Sequence, residues 1–379
     1  MVRPPRGGAH RLGIGIFFIA HGVFFSSWVS RIPSVKDSLA LSEPALGGVL
    51  LAMGLGTFTA LPAVGWFIGR WGAKAVMVGS ALAAAATLLA AGASPSVPIL
   101  VGALWLFGMA MGGLDVAMND RAAELERAAG RSMMGSFHAL WSTGAVLGPL
   151  LAAGLTARGW SPAEHFAVCA LVVSLACLWG ARIQIPQGPL VPAGARLAWP
   201  SRAVVAVGCV AGAAAVVEGG VAEWSGVYLR ESLGAAPGLA PLGFGAFSLA
   251  MLIGRLASDR LIDRWGGRRV VVWGGLSAGI AVLAAVSVPE PGAAVALFGL
   301  AGLGMAPAFP IAFSQAGRSG PSPSSATAIA AVATMAYGSG LVGPPLIGFV
   351  AGASSLPLAL LLLALAALLV ALLGRRAIH

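Results

Sequence analysis

The chain has 379 residues, of which 58% are apolar and only 9% charged. A soluble domain carries about 25% charged residues; this chain, with 54 Gly and 24 Pro and a mean hydropathy of +0.90, is excluded from that class and reads as solvated by lipid. The net charge of +10 sits in short connections between apolar runs and not in a basic stripe, which fits membrane topology and excludes nucleic acid as a partner.

A bilayer core is crossed by roughly 20 helical residues, and windows of that size recur twelve times. The first half holds predicted spans at 12–30, 45–69, 76–93, 98–119, 133–157 and 163–181. The second holds 203–229, 238–258, 269–288, 292–316, 324–350 and 355–373. These runs are continuous rather than alternating, so an outer-membrane barrel is excluded. Arg3, Arg6 and Arg11 precede a first run that reads as a retained span rather than a cleaved signal. The longest break separates an N-terminal six-helix bundle (1–182) from a C-terminal one (203–379), with 183–202 as a central cytoplasmic linker. With the N-terminus inside, 19 of the 23 Lys and Arg fall on the inner side; Arg31, Lys36, Arg158 and Arg230 fall outside. That asymmetry predicts both termini in the cytoplasm of a bacterial-type inner membrane.

Ionisable groups inside spans are costly in lipid and are functional candidates by default. In span 1, His21 and Trp28 lie among Phe17, Phe18, Phe24 and Phe25, an environment suited either to solute stacking or to packing. Arg31, at the end of that span, either pairs with an acid or an anionic solute, or snorkels to the interface. Asp115 and Asn119 stand at i and i+4 on span 4. His138 begins the antiparallel span 5 at a similar depth, so Asp115 and His138 are expected to share a proton site, with Trp141 a turn further on. Span 7 carries Glu218 and Glu223 around Gly219-Gly220; five residues turn a helix by about 140°, so the two acids are expected to serve separate sites. Glu218 is a second proton-coupling candidate, and Glu223, with Gln315 in span 10, a candidate cavity group. Cys169, Cys177 and Cys209 lie inside apolar runs and read as packing residues. There is no metal-ligand spacing, no phosphate-binding loop and no implied cofactor.

The halves repeat. Gly-Arg-Trp-Gly-Ala-Lys at 69–74 matches Asp-Arg-Trp-Gly-Gly-Arg at 263–268, an offset of 194 that also pairs Gly108 with Gly302 and Met111 with Met305. This repeated basic loop resembles the signature of the major facilitator superfamily. The second copy keeps Asp263, Arg264, Gly266 and Arg268; the first keeps Arg70, Gly72 and Lys74 but has Gly69 in place of the acid. The resemblance implies an all-α polytopic membrane protein, twelve transmembrane helices in two six-helix bundles around a cavity that opens alternately to either side. It also implies that Asp263 and Arg264, with Arg268 and Arg269, form an ion-pair latch.

Two narrower resemblances differ in their implications. The run from Gly112 to Asn119, with Ser136 to Ser142 and Trp28 to Pro33, is similar to the fucose-permease-like branch of sugar/proton symporters. That branch assigns proton coupling to the position of Asp115, while Val29 stands where it has a second acid. Gly135, Gly144 and Gly148-Pro149 resemble the span-5 pattern of drug/proton antiporters, with Ala152-Ala153 replacing its last two glycines; Gly and Pro at this spacing otherwise serve helix packing. The expected function is a non-enzymatic secondary active transporter of a small organic solute, sugar-like or amphipathic, coupled to protons and acting as a monomer in the bilayer. A drug or metabolite efflux antiporter and a non-transporting membrane sensor are the alternatives.

Overall fold

The computed structural model describes residues 7–129, 133–183, 201–317 and 324–378, so most of the expected linker 183–202 lies outside the described residues. Those residues form helices throughout. The first half contains α1 (Gly7–Ser38), α2 (Glu43–Trp71), α3 (Ala73–Gly92), α4 (Val97–Ala129), α5 (Met134–Ala157) and α6 (Pro162–Arg182). The second contains α7 (Arg202–Val227), which ends in a π-helical turn (Tyr228–Ser232), then α8 (Leu242–Trp265) and α9 (Gly267–Ser287). It continues with α10 (Pro291–Met305), α11 (Ala308–Gly317), α12 (Ser324–Ala353) and α13 (Leu356–Ala377). Helices α10 and α11 form one span broken at Ala306-Pro307, where proline supplies no N–H to the ladder. Twelve helical segments result, and among the described residues ten are long and apolar enough to cross a bilayer.

Several span boundaries differ from expectation; span 8, for one, runs from Leu242 to Trp265 rather than from 238 to 258. Span 1 continues through Pro33 to Ser38 rather than ending at 30. Span 4 runs ten residues past 119 because Arg121, 8% exposed, is neutralised on its own helix by Asp120 and Glu124. The next helix then starts under control of the same extension: the Glu126 carboxylate accepts the backbone N–H groups of Met133 at 2.6 Å and Met134 at 2.7 Å. These donors would otherwise be orphans at the start of α5.

Helix α6 illustrates how a fold in lipid sorts its faces. His165, Phe166, Cys169, Val173, Cys177 and Gly180 form a buried stripe, while Leu171, Leu175, Leu178 and Trp179 point away from the protein. Leucines exposed in this number mark a surface meant for acyl chains. Its start is fixed by a capping box between Ser161 and Glu164, a local signal to which apolar windows are blind.

The chain divides into two compact units. One is Met1–Ala40 with Ala52–Ala193; the other is Leu41–Leu51 with Gly194–His379. Within the first, α1 packs along α5 and α6, and α3 along α4 and α6. Within the second, α7 packs along α12 and α13, and α9 along α10 and α13. The pairings correspond helix by helix.

The repeat is also metric. Gly108 of α4 lies against the backbone at Met53 of α2, and Gly302 of α10 against the backbone at Phe247 of α8. Both pairs are related by the offset of 194 seen in the sequence. The signature loops agree as closely: Gly72 adopts φ 81°, ψ 149° and Gly266 φ 80°, ψ 144°. Each donates its N–H over 2.8 Å to the carbonyl four residues earlier, Ile68 or Ile262. A side chain at such φ and ψ is strained, so glycine there is a backbone requirement.

Candidate functional site

Asp115 lies in the middle of α4, half-buried, at a depth set by the glycine-rich turn Gly112-Gly113 that lets α4 approach α2 and α3. The Asn119 amide donates to its carboxylate at 3.0 Å and to its backbone carbonyl at 2.9 Å, as the i, i+4 spacing requires. Across from it on α1 is His21, within electrostatic reach of the Asp115 carboxylate and facing the Met111 carbonyl. The Trp141 indole of α5 donates to His21 Nδ1 at 2.8 Å, which leaves the imidazole proton on Nε2. Four of the predicted residues, His21, Asp115, Asn119 and Trp141, are thus brought together in the first unit.

His138, the expected partner of Asp115, is exposed and sets its ring edge-on against Phe18, with centroids 5.7 Å apart. Helix α1 lies against both α4 and α5, which touch each other little. A histidine of α1, His21, is within electrostatic reach of Asp115. Trp28, expected to line a cavity, is fully enclosed and packs on Phe166 at 6.5 Å. Its stripe of α1 faces α6, and it belongs to the helix interface. Of the glycine pattern on α5, Gly144 lies on the α1 backbone at Ile19 to Val23 and Gly148 on Ser26, with Pro149 buried beside it; Gly135 meets nothing within 4 Å. The motif is a packing seam for two of its three glycines.

In the second unit the two glutamates of α7 do separate. Glu218 faces Arg255 of α8, with Oε2 3.6 Å from Nη2 and about a fifth of each side chain exposed. Glu223 turns another way, and its Oε2 is enclosed without a hydrogen-bond partner. Arg255 is the site residue that the sequence concealed, because a single arginine near a basic loop counts as topology. Gln315 stands half-buried on α11, beyond the break in the tenth span.

The signature loops are polar edges. Arg70, Asp263, Arg264 and Arg268 are exposed and Lys74 is half-buried. Arg264 lies 5.9 Å over the Trp265 ring. The expected latch is not closed within its own loop, since Asp263 makes no ion pair among the described residues. The backbone turn at Gly266 starts a new helix that carries Arg268 and Arg269 outward. Arg31 does not snorkel; it is 1% exposed and bonded to His165 and the Trp160 carbonyl, with Glu164 acting on it electrostatically and not through an ion pair among the described residues.

The sequence profile of the Major Facilitator Superfamily matches residues 13–225 and, again, 213–378. The chain belongs to this superfamily. It is 36% identical over 370 residues, 96% of each chain, to an uncharacterized transporter of Sinorhizobium fredii. Among solved structures it superposes on the nucleoside transporter NupG with a TM-score of 0.77 at 14% identity, covering 97% of this chain and 99% of that one. It also superposes on the Escherichia coli fucose:proton symporter FucP with a TM-score of 0.62 at 18% identity, covering 98% of both chains. A multi-pass membrane transporter of the twelve-helix major facilitator fold is therefore what this chain is.

Proposed function

We propose that this facilitator-superfamily chain is a secondary active transporter that moves a small organic solute across the cytoplasmic membrane by alternating access, coupled to protons. The working parts are the bundles 1–182 and 203–379 joined by the linker 183–202, in a monomer with both termini cytoplasmic. The observation that carries this reading is the intramembrane cluster of Asp115, Asn119, His21 and Trp141. A carboxylate within a span is expensive in lipid, about 2.5–3.5 kcal/mol on insertion scales, and here it is set beside an imidazole that can exchange a proton. Asp115 is the coupling residue, and His21 relays its charge state to Trp141. Asn119, Trp141 and His21 offer hydrogen bonds and an aromatic face, which suits a polar, ring-bearing solute. The solved transporters NupG and FucP, which share this fold, are named for a nucleoside and for fucose with a proton.

Proteoliposomes with an imposed pH gradient test this reading. Accumulation of one member of a panel of sugars, nucleosides and amphipathic drugs should follow the gradient and be lost in Asp115→Asn, while counterflow exchange of the same solute survives. Gradient-driven accumulation that persists in Asp115→Asn would remove Asp115 from the coupling role. Efflux is the second reading, supported by the Gly144 and Gly148-Pro149 seam that this chain shares with the antiporter pattern. Cells lacking the protein become sensitive to a toxic compound under that reading, and lose growth on one nutrient under the first.

A further inference from the structure

Arg31 is 1% exposed and His165 is fully enclosed, inside the first unit where α1 meets α6. Arg31 Nε donates to His165 Nδ1 at 3.1 Å, and Nη1 donates to the Trp160 carbonyl at 2.9 Å. Because Nδ1 accepts, the imidazole is neutral with its proton on Nε2. Two donors of this bonded pair are then left over: Arg31 Nη2 and His165 Nε2 are both enclosed and without a hydrogen-bond partner. In the same turn of α1, Trp28 Nε1 and Ser30 Oγ are enclosed and unpartnered as well. Guanidinium and indole N–H groups only donate, so the unmet capacity here is donor capacity around one full positive charge.

Among the described residues no carboxylate accepts a hydrogen bond from Arg31 or His165; Glu164 acts on the guanidinium electrostatically, from the surface. Glu164, adjacent to His165, is exposed and already accepts from the Ser161 amide at 2.7 Å and hydroxyl at 2.8 Å. Arginine does not lose its proton in a protein, and buried donors left without an acceptor cost their full desolvation. We infer that the Arg31–His165 pair binds a small monovalent anion, a halide or the carboxylate of a solute, as the counter-ion of this buried guanidinium. One cation beside a neutral imidazole matches a single negative charge; phosphate or sulfate would call for more basic groups. The inference concerns α1 and α6 and stands independently of the coupling role proposed for Asp115.

The test is thermal unfolding of the purified full-length protein in detergent, at constant ionic strength, with gluconate replaced stepwise by chloride, bromide or acetate. A saturable rise in Tm with chloride and bromide supports an inorganic counter-ion; a rise with acetate alone supports a solute carboxylate. In His165→Phe the midpoint concentration should rise at least tenfold, and in Arg31→Gln the response should vanish. Should Arg31→Gln fail to fold, crystals of the unaltered protein grown in bromide provide the second measurement. An anomalous peak within hydrogen-bonding distance of the Arg31 guanidinium supports the inference. Water density alone at that position, or a Tm indifferent to the anion, overturns it.

Discussion

Glu218 and Arg255 face each other across α7 and α8 at 3.6 Å, both partly open to their surroundings. A pair at that distance and exposure is weaker than a buried bidentate contact, because solvent screens the attraction. It nevertheless satisfies two charges that the membrane would otherwise expel. Glu218→Gln and Arg255→Gln should each lower Tm, and the double variant should recover part of the loss. The coupling energy from the cycle is expected at about 0.5–3 kcal/mol; additive losses would mean that the two charges do not act on each other. Asp115 and Asn119 were legible as a pair because they are one helical turn apart. Arg31 and His165, 134 residues apart, carry no local mark of their meeting. Glu223 differs from its neighbour Glu218 only in azimuth, and azimuth is what leaves its Oε2 without a partner.

At the level of elements, small residues decide how closely helices approach. Lipid offers no hydrophobic driving force between spans, so association depends on backbone proximity and packing. Gly108→Leu and Gly302→Leu push a side chain into the backbone at Met53 and Phe247, respectively, and each should destabilise by about 1–3 kcal/mol as overpacking does. Equal losses at the two sites would be the thermodynamic counterpart of the repeat, and a neutral result at either would contradict the contact described. Gly72→Ala and Gly266→Ala act differently, through backbone conformation, at a cost of about 1–3 kcal/mol, read as a fall in Tm. The start of α10 adds a pH-dependent contribution. The Glu290 carboxylate caps it by accepting the Gly292 and Ala293 N–H groups, which hold its pKa below the usual carboxylate range. The stabilisation is therefore present above the ordinary pKa of about 4.3 and is lost as pH falls through the lowered folded value. Tm curves of the protein and of Glu290→Gln should lie apart at neutral pH and converge in acid; a gap independent of pH would exclude the carboxylate as its source.

For the molecule as a whole, the even number of spans and the distribution of basic residues make one demand. A thiol reagent that cannot cross the bilayer should modify Arg158→Cys from outside intact cells and reach Arg268→Cys only after permeabilisation. The native cysteines give a low background, with Cys169 and Cys177 buried and Cys209 half-buried. Labelling of both variants from outside would contradict the basic-loop assignment. The helix pairings repeat between halves, so a substitution that loosens α1 from α5 should have its equivalent at α7 and α12.

Span count, the duplicated loop and the superfamily were readable from the residues alone, because lipid imposes a length and a composition on every crossing and because glycine at the φ and ψ of the two basic loops is costly to replace. Those are local demands, written in consecutive positions. Which helix lies beside which is not local. The placement of α1 between α4 and α5 put His21 within reach of Asp115, drew Trp28 into an interface, and enclosed Arg31 against His165. A side chain's partner is set by the rotation and order of helices whose sequences look equally apolar on every face, and only their packing resolves that degeneracy.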